Sequence, residues 1–169
     1  MEDLFAGVDV STQGQKIVII DLEKRSVIYS DSINYDIDLP KYNTRNGVLK
    51  DTDFGVSESN PNMWIDSLHR LFERLKTSSD IIQSIKAISI AGQQHGLVAI
   101  DKDGNLAKST SKLWNDFSTA EECEILTKEI GGPEQMITEV ANSQRTGYTA
   151  SKIFHMYRNC LLYTSDAAD

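Results

Sequence analysis

The chain has 169 residues, 40% of them apolar and 25% charged, a composition that suits one globular domain with a real core or a piece of something larger. Its net charge of −8 comes without any Lys/Arg cluster, which excludes non-specific binding to nucleic acid or to an anionic membrane surface but not an anionic small ligand. No apolar run reaches membrane-spanning length, the acidic start is unlike a signal peptide, and Cys123 and Cys160 lack metal-ligand spacing, so the expected setting is the reducing cytoplasm.

In chain order, the first third reads as a three-stranded meander over residues 4–10, 15–21 and about 26–34, rich in Val, Ile and Tyr. The first strand ends at Asp9, and a small polar turn of Ser11, Thr12, Gln13 and Gly14 follows before Lys16. Residues 35–60 are polar and irregular, with Pro40, Asn46-Gly47 and Gly55, and carry no chemistry that the sequence reveals. Ser59-Asn60-Pro61 then opens a helix, in which Trp64, Leu68, Leu71, Phe72 and Leu75 recur at helical spacing. Residues 85–92 are expected to form a buried strand and residues 96–101 another, closed by the turn Asp101–Asn105. A short strand leads into Leu113-Trp114. A helix is expected from Ser118 to Ile130, capped by Ser118 or Thr119, with Glu121 and Glu122 in its first turn and Gly131-Gly132-Pro133 as its stop. Two more helices follow over about 133–140 and 149–158. Residues 160–169 break the helical pattern without loop chemistry and read as a translated sequencing-library adapter, which leaves 1–159 as native sequence.

Four stretches could carry chemistry. In the first, Asp9 could hold a hydrated metal ion, and Ser11, Thr12, Gln13 and the turn's N–H groups could hold phosphate oxygens. The same residues also suit a β-hairpin with a solvated turn. The second, Gly92-Gln93-Gln94-His95-Gly96, lies between two expected strands, where the glycines would let the backbone turn tightly. Gln94 and His95 suit hydroxyl groups, although a lone histidine also suits a purely structural role. In the third, Trp114 offers an apolar face to sugar C–H groups, and Asn115 and Asp116 offer hydrogen bonds; a core tryptophan before a helix-capping pair is the plainer reading. In the fourth, Arg145 in the loop 142–149 could hold a hydroxyl or phosphate, or be a surface charge.

Together these patterns resemble the FGGY carbohydrate kinases, and within them the xylulokinases. Gly7-Val8-Asp9-Val10-Ser11-Thr12-Gln13 is similar to the family's phosphate-loop turn, and Gly92-Gln93-Gln94-His95-Gly96 to its substrate motif Gly-Gln-x-His-Gly. Leu113-Trp114-Asn115-Asp116 and Gly147-Tyr148-Thr149-Ala150-Ser151-Lys152 resemble the stretches that follow, so the likeness covers almost all of residues 4–159 in order. It implies an α/β fold of the RNase H-like (actin/hexokinase-like ATPase) class, a mixed sheet with flanking helices, here as the incomplete N-terminal, sugar-binding domain. It implies transfer of the γ-phosphoryl of ATP, with Mg²⁺, to D-xylulose. In that scheme Gln94 and His95 bind sugar hydroxyls, Trp114, Asn115, Asp116 and Arg145 line the substrate, and Asp9 positions the metal through water. Ser11, Thr12, Gln13 and Lys16 would serve the nucleotide phosphates.

The family's catalytic base is an Asp of a downstream Asp-Asn pair, which Asp116 is not, so the 169-residue chain is expected to be inactive by itself. A homodimer of the intact enzyme is compatible with the resemblance. Ser11 departs from the family, which usually has Gly before Thr12; it fits only with a negative φ. Gln94 stands where some members have Met. The alternatives are an FGGY kinase for ribulose, rhamnulose, gluconate or glycerol, or an actin-like ATPase without sugar chemistry.

Overall fold

The computed structural model describes residues 3–78 and 80–164, with side chains described as far as Asn159. Of the 160–169 tail, residues 165–169 lie outside the described residues, and residues 160–164 are described only as the backbone of a helix that runs to Thr164. The chain forms two compact units: Met1–Asp51 with Ser59–Gln93, and Thr52–Glu58 with Gln94–Asp169.

The first unit is built on a four-stranded sheet. Strands β1 (Leu4–Val10), β2 (Gly14–Asp21) and β3 (Ser26–Asn34) form the antiparallel meander, and β4 (Ile85–Gly92) pairs in parallel with β1, giving the order β3-β2-β1-β4. The sheet is mixed, as expected, and the first two strands alternate cleanly. Leu4, Ala6 and Val8 of β1 and Ile17 and Ile19 of β2 are buried on one face, which leaves Asp9 and Lys16 as directly paired neighbours on the other. Helix α1 (Pro61–Ser78) begins where Asn60 accepts the Asn62 N–H, and it covers the apolar face with Met63, Leu71 and Leu75.

The irregular stretch after β3 has more order than its composition suggests. One helical turn, Tyr35–Asp38, is capped by the Asn34 side chain, and a 3₁₀ turn follows over Pro40–Tyr42. A small hairpin then pairs Thr44–Arg45 with Val48–Leu49 across Asn46-Gly47, whose φ values of 53° and 75° are those of a tight type I′ turn. Asp36 stitches this hairpin back: its carboxylate accepts from Thr44 Oγ1 at 2.7 Å and from the N–H groups of Asn46 and Gly47. The hydroxyl of Tyr42 donates to Asp66 on α1, and Arg74 of α1 pairs with Asp38 at 2.8 Å.

Two strand expectations need correction. Residues 85–92 do form a strand, but an exposed one: Ile88 is 49% and Ile90 58% accessible. Among the described residues β4 is an edge strand of the sheet, paired with β1 on one side only. Residues 96–101, in the second unit, form no strand. Only isolated bridges occur, Leu97 with Lys112 and Ile100 with Leu106. The turn at Asp101 explains this: its carboxylate accepts from the N–H groups of Asp103 and Asn105, so the chain doubles back before a ladder can grow.

The rest of the second unit is helical, with α2 (Ala120–Glu129), α3 (Pro133–Val140) and α4 (Thr149–Thr164). Thr119 holds the N-cap position of α2 but does not cap it with its side chain; its buried hydroxyl lies 2.9 Å from Ser151 Oγ on α4 instead. Further along α4, Arg158 binds Glu121 and Glu122 of α2 at 2.7 and 2.9 Å.

Candidate functional site

Within the first unit, the turn after β1 is held from three directions. Its own closure uses Ser11, whose N–H and hydroxyl both donate to the Gly14 carbonyl at 3.0 and 2.9 Å. Ser11 is not among the described residues with positive φ, so the serine that replaces the family's usual glycine is accommodated without strain. From the meander side, the Tyr35 N–H donates to the Gln13 carbonyl at 3.1 Å. The Gly47 backbone lies so close to the Thr12 carbonyl that a Cβ there would come within 1.8 Å of the oxygen. From the end of β4, Gln93 accepts from Thr12 Oγ1 at 3.2 Å and donates to the Ser11 carbonyl at 3.4 Å. Gly47 and Gln93 were not singled out from the sequence. Asn46-Gly47 does carry a hairpin signal, but nothing local says that the hairpin packs on this turn.

Asp9 is exposed on the polar face of the sheet, directly opposite Lys16. Its carboxylate makes no hydrogen bond or ion pair among the described residues, and its charge, after burial, is the second reason that the Tyr35 hydroxyl ionises only well above the ordinary tyrosine range. No group of three His, Cys, Asp or Glu side chains that could hold a metal occurs among the described residues. A hydrated Mg²⁺ held by one free carboxylate through water fits Asp9; a directly ligated metal does not.

In the second unit several of the residues expected to meet a sugar share contacts. His95 adopts a left-handed backbone with φ 59°, unusual for a residue with a side chain. The expected glycine-assisted turn is therefore made by His95 itself; Gly92 and Gly96 are not among the residues with positive φ. The imidazole lies against Tyr148, with ring centroids 4.5 Å apart, and the Arg145 guanidinium sits 5.9 Å from the same tyrosine ring. His95, Gln94, Trp114 and Arg145 are exposed. Gly147 packs on the Trp114 carbonyl so tightly that a Cβ would come within 2.4 Å of it. Lys152, fully buried at the start of α4, donates to the carbonyls of His95 at 2.6 Å and Gly147 at 2.7 Å. Tyr148 and Lys152 belong to a motif the sequence displays, but their contacts are tertiary and only the structure shows them.

The Trp-Asn-Asp segment divides its labour. Trp114 is 51% exposed, whereas Asp116 is fully buried. One Asp116 oxygen accepts from the Ser57 N–H at 2.8 Å and lies 3.4 Å from Lys112 Nζ; the other accepts from the N–H and hydroxyl of Ser118 at 3.1 and 2.6 Å. With both oxygens engaged, Asp116 fixes the loop and offers a ligand nothing in this conformation. Asn115 accepts from the Ser57 hydroxyl at 2.8 Å, which leaves its amide N–H₂ to donate elsewhere.

Residues 4–160 match the model of the N-terminal domain of the FGGY family of carbohydrate kinases. A xylulose kinase of Schizosaccharomyces pombe is 36% identical over 169 aligned residues, covering 89% of this chain and 30% of that protein. Among solved structures, a xylulose kinase from Rhodospirillum rubrum shares the fold with a TM-score of 0.75 at 18% identity, over 92% of this chain and 29% of the other. A gluconate kinase from Lactobacillus acidophilus does so with a TM-score of 0.72 at 20% identity, over 93% and 28%. The chain thus spans about 30% of the length of the curated relatives it matches. The actin/hexokinase-like class read from the sequence is the class of these neighbours, and the chain belongs to the FGGY family of carbohydrate kinases.

Proposed function

We propose that the protein carrying this domain transfers the γ-phosphoryl group of ATP to a hydroxyl of a ketopentose, D-xylulose before other sugars. The observation that carries this reading is the exposed His95, held in a left-handed turn against Tyr148 with Arg145 beside it, in a chain whose curated relative is a xylulose kinase. The imidazole and the Gln94 amide both donate and accept, as neighbouring sugar hydroxyls require, and the exposed Trp114 indole suits the apolar C–H face of a sugar.

On the phosphate side, Thr12, Gln13 and Lys16 would serve the nucleotide through backbone N–H groups and a cation, on a turn that Ser11 closes with its N–H and hydroxyl and that Gln93 braces at Thr12. Asp9 would hold a hydrated Mg²⁺ through water, and that ion would neutralise phosphate charge. Phosphoryl transfer depends on positioning and charge neutralisation more than on covalent help, so rigid loops are the useful contribution of this domain. The buried, fully engaged Asp116 does not fit the part of general base. The reading is of a cytoplasmic enzyme; no helix among the described residues is long and apolar enough to cross a membrane.

A sugar panel on the intact protein tests this. Xylulose should give the highest kcat/KM among xylulose, ribulose, rhamnulose, gluconate and glycerol, and His95→Ala should raise the sugar KM at least about tenfold or abolish turnover. An unchanged sugar KM in that variant would remove His95 from the site. The fold shared with a gluconate kinase supports the second reading, a different FGGY sugar, which a preference for gluconate would establish. ATP hydrolysis indifferent to every sugar would instead favour an actin-like ATPase.

A further inference from the structure

Lys152 is the one residue of that second-unit group whose chemistry remains unused. It is fully buried, and no carboxylate lies within ion-pair distance of it among the described residues. An ammonium group in the interior is costly unless it is well satisfied, and an apolar side chain of the same length would fill the space. What Lys152 provides is a pair of short hydrogen bonds to two separate loops: His95 O at 2.6 Å, and Gly147 O at 2.7 Å in the loop before α4.

Both recipients are special. His95 holds a positive φ of 59°, a conformation that is costly for a residue with a side chain and persists only where the surroundings over-determine it. Gly147 is pressed against the Trp114 carbonyl and precedes Tyr148, whose ring carries the imidazole. The His95 turn is thus fixed at its backbone by Lys152 and at its ring by Tyr148, and Lys152 also fixes the loop that bears Tyr148. The neighbouring Ser151, equally buried, anchors the same turn of α4 to Thr119. The lysine therefore projects from a rigid base. Burial lowers its pKa to about 8, the Asp116 charge opposing this, as expected for an ammonium satisfied by carbonyl dipoles and not by a paired anion.

We propose that Lys152 is a positioning residue for sugar recognition: by holding the His95 and Gly147 carbonyls together it keeps His95 in its left-handed turn and aims the imidazole at the substrate. This rests on the reading of His95 as a sugar ligand. The plainer possibility, a lysine that only staples the start of α4, predicts a loss of stability without a selective effect on the sugar.

The test uses the intact protein with Lys152→Met, Lys152→Arg, His95→Ala and the double variant H95A/K152M, reading sugar KM, ATP KM, kcat and thermal midpoint. K152M should raise the sugar KM about tenfold while the ATP KM stays within about twofold. Added to H95A, K152M should raise the sugar KM no further, because a residue that acts through another has nothing left to act on. K152R, which keeps a cation and its donors in a less suitable shape, should give a smaller change of the same kind, and it carries the comparison if K152M does not fold. Folded K152M or K152R with the wild-type sugar KM would overturn the proposal, as would independent, multiplying effects in the double variant. If H95A itself leaves the sugar KM unchanged, the sugar-site reading fails and this inference with it. If H95A raises the sugar KM and the Lys152 variants do not, this inference fails alone.

Discussion

His95 shows how much of a residue's role its identity can announce. The pattern Gly-Gln-x-His-Gly singled it out, and the flanking glycines suggested a tight turn. That the histidine itself takes the left-handed conformation was not legible, because the preference of histidine for it is weak and neighbours decide. Asp116 makes the opposite case: an Asn-Asp pair beside a tryptophan reads as two hydrogen-bonding groups for a ligand, yet its oxygens serve Ser57, Lys112 and Ser118. Ser57 is 59 positions away, and no local pattern encodes that partner. Gly147 gives a sharper prediction. A methyl group there meets the Trp114 carbonyl at 2.4 Å, and backbone cannot yield as a flexible side chain can. Gly147→Ala should cost about 1–3 kcal/mol of stability, as overpacking does, and should raise the sugar KM by moving either Trp114 or the Gly147 carbonyl that Lys152 holds. Wild-type chemical denaturation and sugar kinetics in that variant would show that the close approach tolerates a methyl group.

At the scale of elements, β1, β2, β3 and α1 were legible because their own patterns determine them: β-branched runs with alternating burial, and apolar residues at helical spacing after Asn60-Pro61. β4 was legible as a strand but not as an edge, since exposure depends on which neighbours arrive. The small hairpin at Asn46-Gly47 escaped because two-residue strands give no periodic signal. Its importance lies in what it touches. Gly47 has a φ of 75°, and a Cβ there would meet the Thr12 carbonyl oxygen at 1.8 Å, so Gly47→Ala has to distort either the hairpin or the turn after β1. The strained backbone alone costs on the order of 1–3 kcal/mol. In the intact protein this variant should lower kcat or raise the ATP KM while leaving the sugar KM nearly unchanged, since the residues proposed to meet the sugar belong to the other unit. A selective rise in sugar KM would show that the turn serves the sugar and not the phosphates.

For the whole molecule, the buried lysine and the tyrosines set how stability responds to alkali. Burial brings Lys152 from an ordinary 10.5 down to about 8 in the folded chain, so between these values the unfolded chain binds a proton that the folded chain has released. Stability attributable to Lys152 therefore rises with pH across that window; below about pH 8 both states are protonated and the penalty is constant. Tyr42 works in the other direction: burial and the hydrogen bond to Asp66 raise it from 10.0 to about 12, so above pH 10 the unfolded chain loses protons first and stability falls. Tyr35, raised by burial and by the Asp9 charge, adds to that fall. Because the chain forms two units, a single unfolding midpoint need not describe both. Trp64 lies in the first unit and Trp114 in the second, and they are the chain's only tryptophans, so in a Trp64→Phe background the indole signal reports the unit that contains Lys152. There, the wild type should gain stability relative to Lys152→Met from about pH 8 to about pH 10, measured by urea denaturation at half-unit steps. Parallel pH profiles for the two proteins would mean that Lys152 is charged to the same extent folded and unfolded, and that its ammonium is far better satisfied than two carbonyls can account for.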